Sequence, residues 1–102
     1  MRVWGQETSE LRLTGALDVH TAADVRLALH TAIDGGAGDL LVDLGGVDGA
    51  DTTGLSVLVG AHRRAGRCGR RLVLRNVPHQ LSRLLLVTRL HRILHVEHRV
   101  AA

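Results

Sequence analysis

Two adjacent hydroxyls, Thr52 and Thr53, stand between Asp51 and Gly54, where a run of glycines and aspartates gives way to an apolar helical pattern. A hydroxyl at a helix start has two chemistries open to it. It can accept a hydrogen bond from a free amide of the first turn and so cap the helix. It can also carry a phosphate, which those amides and the helix dipole would hold without unfolding the domain. Such a phosphate adds about two negative charges beside Asp51, and beside Asp18 if the two segments meet, enough to make a partner-binding surface repulsive. Local physics makes the cap a sufficient role for one threonine, and the phosphoacceptor reading of Thr53 stands next to it.

The same stretch offers a nucleotide cradle, because Gly49, Gly54 and Ser56 fall at P-loop spacing. Leu55 occupies the lysine position that would meet the terminal phosphates, so the glycines read as turn residues instead. Asp18 and Asp51 both follow predicted strands and could face one another as general acid and base, but so short a chain has little material to enclose them. His91, His95 and His98 would share a face only if a helix ran through them, and a predicted strand at Ile93–Val96 separates them. No metal or cofactor is therefore expected. Cys68, the only cysteine, lies among arginines and glycines in a predicted turn, with no base beside it to make it a nucleophile.

These residues need elements to hold them. Leu11, Leu13 and Leu17 keep the two-residue period of a strand with one buried face, and Arg2–Trp4 forms a shorter strand before it, across a polar turn Gly5–Ser9. Thr21 and Asp24 have capping-box spacing, and Ala22, Val25, Leu29, Ala32 and Ile33 make one helical stripe that Gly35, Gly36 and Gly38 end. Asp39–Leu44 is a continuous apolar run, as in a strand covered on both faces. Beyond the glycine loop, Gly54, Val57, Leu58, Ala61 and Ala65 share a helical face, and His62, Arg63, Arg64 and Arg67 complement the dipole at its end. Arg71–Val77 reads as a strand. Pro78 opens a helix with Leu81, Leu84, Leu85 and Thr88 inward, and Ile93–Val96 closes the chain as a strand. Strands alternating with helices over short connections define an α/β domain with a mixed, mostly parallel sheet of about four or five strands and three or four helices.

Composition bounds the function further. The chain has 102 residues, enough for one domain, 1–102, and one core. It has one Trp and no Phe or Tyr, so bases have no aromatic platform to stack on. Residues 1–51 hold nine acids and three arginines, or −6, and residues 52–102 hold ten arginines and one acid, or +9. An acidic side and a basic side follow if consecutive elements are neighbours. Arg63, Arg64, Arg67, Arg70, Arg71 and Arg75 could touch phosphates, but no nucleic-acid-binding module accompanies them. No run reaches the length of a membrane span and no signal peptide opens the chain, so a cytoplasmic protein is expected.

Asp51-Thr52-Thr53-Gly54-Leu55, with Val42-Asp43-Leu44 before it and Val57-Leu58-Val59 after it, resembles the signature of the STAS domain, the fold of bacterial anti-sigma factor antagonists. Gly15-Ala16-Leu17-Asp18, Leu72–Val77 and Leu84–Val96 resemble the family's other segments in order and spacing. The resemblance implies a regulator without catalysis of its own. Unphosphorylated, it would bind an anti-sigma factor that is also a serine/threonine kinase and so free a sigma factor. The kinase would phosphorylate Thr53 and release it, and a phosphatase would reset it. By position, Asp18 and Asp51 are the flanking acids that assist phosphorylation or partner contact, while Thr52, Gly54 and Leu55 shape the loop and helix start. Ala16 stands where the family commonly has Glu, Thr53 where serine is more usual, and Arg89 where glycine is.

Overall fold

In a computed structural model, which describes residues 2–7 and 10–97, the chain alternates strands and helices as β1 (Arg2–Glu7), β2 (Glu10–Leu17), α1 (Ala22–Asp34), β3 (Leu40–Ala50), α2 (Thr52–Arg67), β4 (Leu72–Arg75), α3 (His79–Val87) and β5 (His95–Val96). A 3-10 turn, Leu90–Arg92, joins α3 to β5. The five strands lie in chain order, β1-β2-β3-β4-β5. The β1–β2 hairpin is antiparallel and the remaining pairs are parallel. The α/β class with a mostly parallel sheet is as the sequence implies.

The sheet has one strongly apolar face. Leu11 pairs with Val42, Val42 with Leu74 and Leu40 with Leu72 in register, and these residues join Leu29, Ile33, Leu55, Leu58 and Ala61 in one buried cluster. Each leucine so buried contributes about 2 kcal/mol. The intervening residues build the other face. There Arg12, Asp43 and Arg75 stand side by side on β2, β3 and β4, and Arg75 reaches Glu97 at 3.3 Å. Asp43 is 8% exposed. Its carboxylate accepts from the Gly45 N–H at 2.8 Å and from Asn76 Nδ2 at 3.2 Å.

The largest difference from the sequence reading lies in the expected glycine loop. β3 does not stop at Leu44 but runs on to Ala50, with β2 alongside it through two register shifts. Gly46 makes this possible: a Cβ there would lie 2.6 Å from Thr14 Cγ2. The glycines let two strands approach closely, and the connection to α2 shrinks to Asp51. With no loop left to wrap an anion, the P-loop spacing has no structural counterpart.

Smaller corrections have local causes. β1 extends to Glu7 and narrows the expected turn. The Thr21–Asp24 capping box does not form, because the Thr21 hydroxyl turns back and donates to the Ala16 carbonyl at 2.8 Å. The final strand is two residues long, since the chain first makes the 3-10 turn. Thr88 is exposed rather than inward, its hydroxyl donating to the Leu84 carbonyl at 2.7 Å.

The expected separation into acidic and basic sides is offset in part by ion pairs between the two halves. Arg64 grips Asp34 with two hydrogen bonds of 3.0 and 2.6 Å, and Arg71 meets Asp39 at 2.7 Å. Arg70 is buried. Its guanidinium donates to the carbonyls of Ala32, Ile33, Ala37 and Gly38, supplying the orphan acceptors at the end of α1 with donors and a positive charge. Four of the six arginines considered for phosphate contact, Arg64, Arg70, Arg71 and Arg75, are therefore committed within the fold.

Candidate functional site at the start of helix α2

β2 and β3 end together, with Leu17 opposite Ala50, so Asp18 and Asp51 emerge side by side at one end of the sheet. The Asp51 N–H donates to the Leu17 carbonyl at 3.2 Å, fixing the point at which α2 begins. Asp51, in an extended conformation, is the N-cap, and its Oδ1 accepts from the Gly54 N–H at 2.9 Å. Its Oδ2 accepts from the Val19 N–H at 3.3 Å, so one carboxylate joins the helix start to the β2–α1 turn. The Gly54 amide, then those of Val19 and Thr53, hold this carboxyl below the usual carboxylate range against a smaller opposing effect of burial.

The cap that the sequence reading gave to a threonine is therefore made by Asp51. The signal was present in the sequence: an aspartate three residues before the Gly54 amide has N-cap spacing of its own. Among the described residues, neither Thr52 nor Thr53 has a hydrogen-bond partner for its hydroxyl. Thr52 is exposed and Thr53 half-buried. The Thr53 hydroxyl is thus left without a structural task at the second helical position.

Gly54 and Leu55 hold this geometry from below. A Cβ on Gly54 would lie 2.0 Å from the Leu17 carbonyl oxygen, a contact with backbone that cannot yield. Leu55 is 2% exposed and anchors the first turn in the core, which is why no cation could serve in its place. Ser56 donates to the Thr52 carbonyl at 2.9 Å. Asp18 has backbone partners of its own: its Oδ1 accepts from the His20 and Thr21 amides at 2.9 and 3.3 Å. The two carboxylates are neighbours with separate backbone partners, an arrangement that supports a turn and a cap rather than acid–base chemistry.

The histidines and the cysteine lie elsewhere. His91 and His95 line a groove of about 580 Å³ between α3 and the sheet, with Leu41, Val73, Leu85 and Leu86. His98 falls outside the described residues. Among the described residues no three His, Cys, Asp or Glu side chains group as metal ligands, and no helix is long and apolar enough to cross a membrane. Cys68 is exposed at the end of α2.

An open, mostly parallel sheet in chain order, alternating with helices, is the fold that the resemblance to a STAS domain implies. The chain belongs to that family: residues 2–96 match the family model described as "Mlab, STAS domain". It is 30% identical, over 85% of its length and 81% of the relative's, to the anti-sigma-B factor antagonist of Staphylococcus aureus strain NCTC 8325 / PS 47. Its fold is similar to that of an anti-sigma-factor antagonist (STAS) domain protein from Planctomyces limnophilus, with a TM-score of 0.77, 18% identity and coverage of 96% of this chain and 90% of that one. It is also similar to the Bacillus cell fate determinant SpoIIAA in its phosphorylated form, with a TM-score of 0.67, 19% identity and coverage of 96% and 91%.

Proposed function

We propose that the protein is an anti-sigma factor antagonist that binds an anti-sigma factor with serine/threonine kinase activity, and that phosphorylation of Thr53 switches this binding off. The observation that carries the reading is the idle Thr53 hydroxyl beside a helix cap made by another residue. In the switching step the Thr53 oxygen attacks the γ-phosphorus of the kinase's ATP. The bond to the β-γ bridging oxygen breaks, ADP leaves, and the hydroxyl proton passes to a base of the kinase or to water. Asp51 and Asp18 border the acceptor, and a phosphatase completes the cycle by hydrolysis.

The cap sharpens how the phosphate acts. The Gly54 and Thr53 amides already face the Asp51 carboxylate, so about two further charges arrive next to one that holds the best donors. The modified surface is repulsive toward an acidic contact, and the negative charge is added without loosening the core. Incubation with the cognate kinase and ATP should add one phosphate, mapped to Thr53 by mass spectrometry. Thr53→Ala should block it, and Thr53→Asp should weaken kinase binding. A phosphate mapped elsewhere on a kinase-bound protein would overturn the assignment.

A second reading is a constitutive subunit of the same fold. It is that of a non-switching scaffold or transporter-associated subunit, in which the cap role this reading gives Thr53 is taken by Asp51 instead. On that reading Thr53→Asp leaves partner binding intact.

A further inference from the structure

Beside the start of α2 runs a groove of about 390 Å³, lined by Thr52, Leu55, Ser56, Val59, Gly60 and Arg63 on the helix and by Thr88 and Leu90 on the segment after α3. Its floor is aliphatic, with Leu55 buried and Val59 and Leu90 partly buried against the core. Arginines flank the groove along the helix, since the sequence contains no acid between Asp51 and Glu97, and the acids Asp51 and Asp18 stand only at its Thr52 end. Arg63 and Arg89 are exposed, and among the described residues neither has an ion-pair partner, unlike Arg64, Arg71 and Arg75.

Two positions sacrifice local preference here. Gly60 lies in the middle of α2, where alanine would be the better helix former, and a Cβ there would meet nothing within 4 Å. Its bareness keeps the groove open without serving the packing. Arg89, between groove residues Thr88 and Leu90, adopts the left-handed conformation with φ 61°, where a non-glycine residue is strained. Strain kept at an exposed cation, next to a groove that begins at the switch, points to use of that cation.

We infer that this groove is the docking site for an acidic segment of a partner protein, one that lays aliphatic side chains on Leu55, Val59 and Leu90 and sets carboxylates against Arg63 and Arg89. The inference rests on the α2 start being the partner-binding surface, and the groove extends that surface along the helix. Concavity favours a peptide over a bilayer, since a flat lipid surface cannot fill a groove. The aliphatic floor favours it over nucleic acid. The arrangement is that of an amphipathic segment read by its apolar anchors and its charges.

The test needs neither kinase nor ATP, so its failure is separable from failure of the Thr53 assignment. A displayed library of random peptides is selected on the wild-type chain and counter-selected on Gly60→Leu, which fills the groove at an open helical position. Enriched peptides should combine Asp or Glu with Leu or Ile and perturb the NMR signals of Val59 and Leu90. Binding should fall about tenfold or more on the double variant Arg63→Glu/Arg89→Glu, the loss expected of charge-assisted contacts, and a peptide with Lys in place of its acids should recover it. Unchanged circular dichroism confirms that both variants fold. The proposal is overturned if no peptide is lost on counter-selection, or if the winners lack acids. It also fails if the same substitutions abolish binding to phosphatidylglycerol vesicles or self-association in the ultracentrifuge while leaving peptide binding unchanged.

Discussion

At the scale of single residues, the site is decided by what Gly54 excludes and what Asp51 occupies. Any side chain at 54 meets the Leu17 carbonyl, so Gly54→Ala forces the helix start away from β2. The expected loss is about 3 kcal/mol, the upper part of the range for overpacking, read by urea denaturation. The Asp51 carboxyl is held below its ordinary range by the amides it accepts from. Its contribution is therefore fully present above the unfolded carboxylate pKa and disappears as pH falls through the lower folded value. Asp51→Asn should keep much of the cap while removing this share of the acid sensitivity, a difference visible in the pH dependence of Tm. The family resemblance proposed Thr53 from its place before glycine, but the division of labour beside it was not legible in the sequence. One helix start offered three oxygen-bearing residues, and only the extended backbone at 51, set by the bond from its N–H to Leu17, decided which would cap.

Among the elements, helix α1 ends on a side chain that follows it by more than thirty residues. Arg70 reaches four carbonyls around the end of α1. Arg70→Met would leave buried acceptors without donors at a cost of about 2–3 kcal/mol, whereas Arg70→Lys should recover only part, lacking the planar fork. Thermal and urea unfolding of the two variants would distinguish charge from geometry. Periodicity found the three α-helices and β2 because burial has the same period as the backbone, as with Leu11, Leu13 and Leu17 on β2 or Val57, Leu58, Ala61 and Ala65 on α2, while β3 and β4 stood out as short apolar runs. The second half of β3 was missed, because Gly45, Gly46 and Gly49 carry no side chain to signal a face. Arg70 reads as a surface residue, since a one-dimensional charge count cannot show which cation a distant helix end will recruit. The strained Arg89 gives one more element-scale expectation. Arg89→Gly should stabilise the turn by about 1 kcal/mol in equilibrium denaturation while weakening capture of acidic peptides, so stability and binding move in opposite directions.

For the whole molecule, ion pairs knit the two oppositely charged halves together. Asp34 with Arg64 and Asp39 with Arg71 tie acids of the first half to arginines of the second, which leaves the protein a poor general polycation. Mobility-shift titration with duplex DNA is expected to show only weak binding that vanishes near physiological salt. Titration of the interior has a clearer sign. His62 packs against His95 with ring centroids 5.4 Å apart, and among the described residues its buried Nδ1 has no hydrogen-bond partner. Burial first, then His95 and Arg63, lower its pKa from the ordinary 6.5. His30 is lowered likewise, by burial and Arg64 with smaller effects of Arg26 and Arg67, against Asp34. Both side chains stabilise the fold in their neutral form, fully above the unfolded pKa and decreasingly as pH falls through the folded one. Stability should therefore fall as pH drops below the ordinary imidazole value of 6.5, and His62→Gln should flatten that slope in denaturation curves taken at several pH values.

The sheet's strand order, identical to chain order, carries a consequence for synthesis. Each strand after the first finds a partner already made as it leaves the ribosome, so pairing can follow translation without waiting for the C-terminus. The end of α1 is the exception: its carbonyls wait for Arg70, 36 residues after Asp34 (70 − 34), or roughly 2 to 7 seconds at about 5 to 20 residues per second. During that interval the newborn N-terminal half has its hairpin and its first parallel pair within reach, but not the guanidinium that finishes its helix.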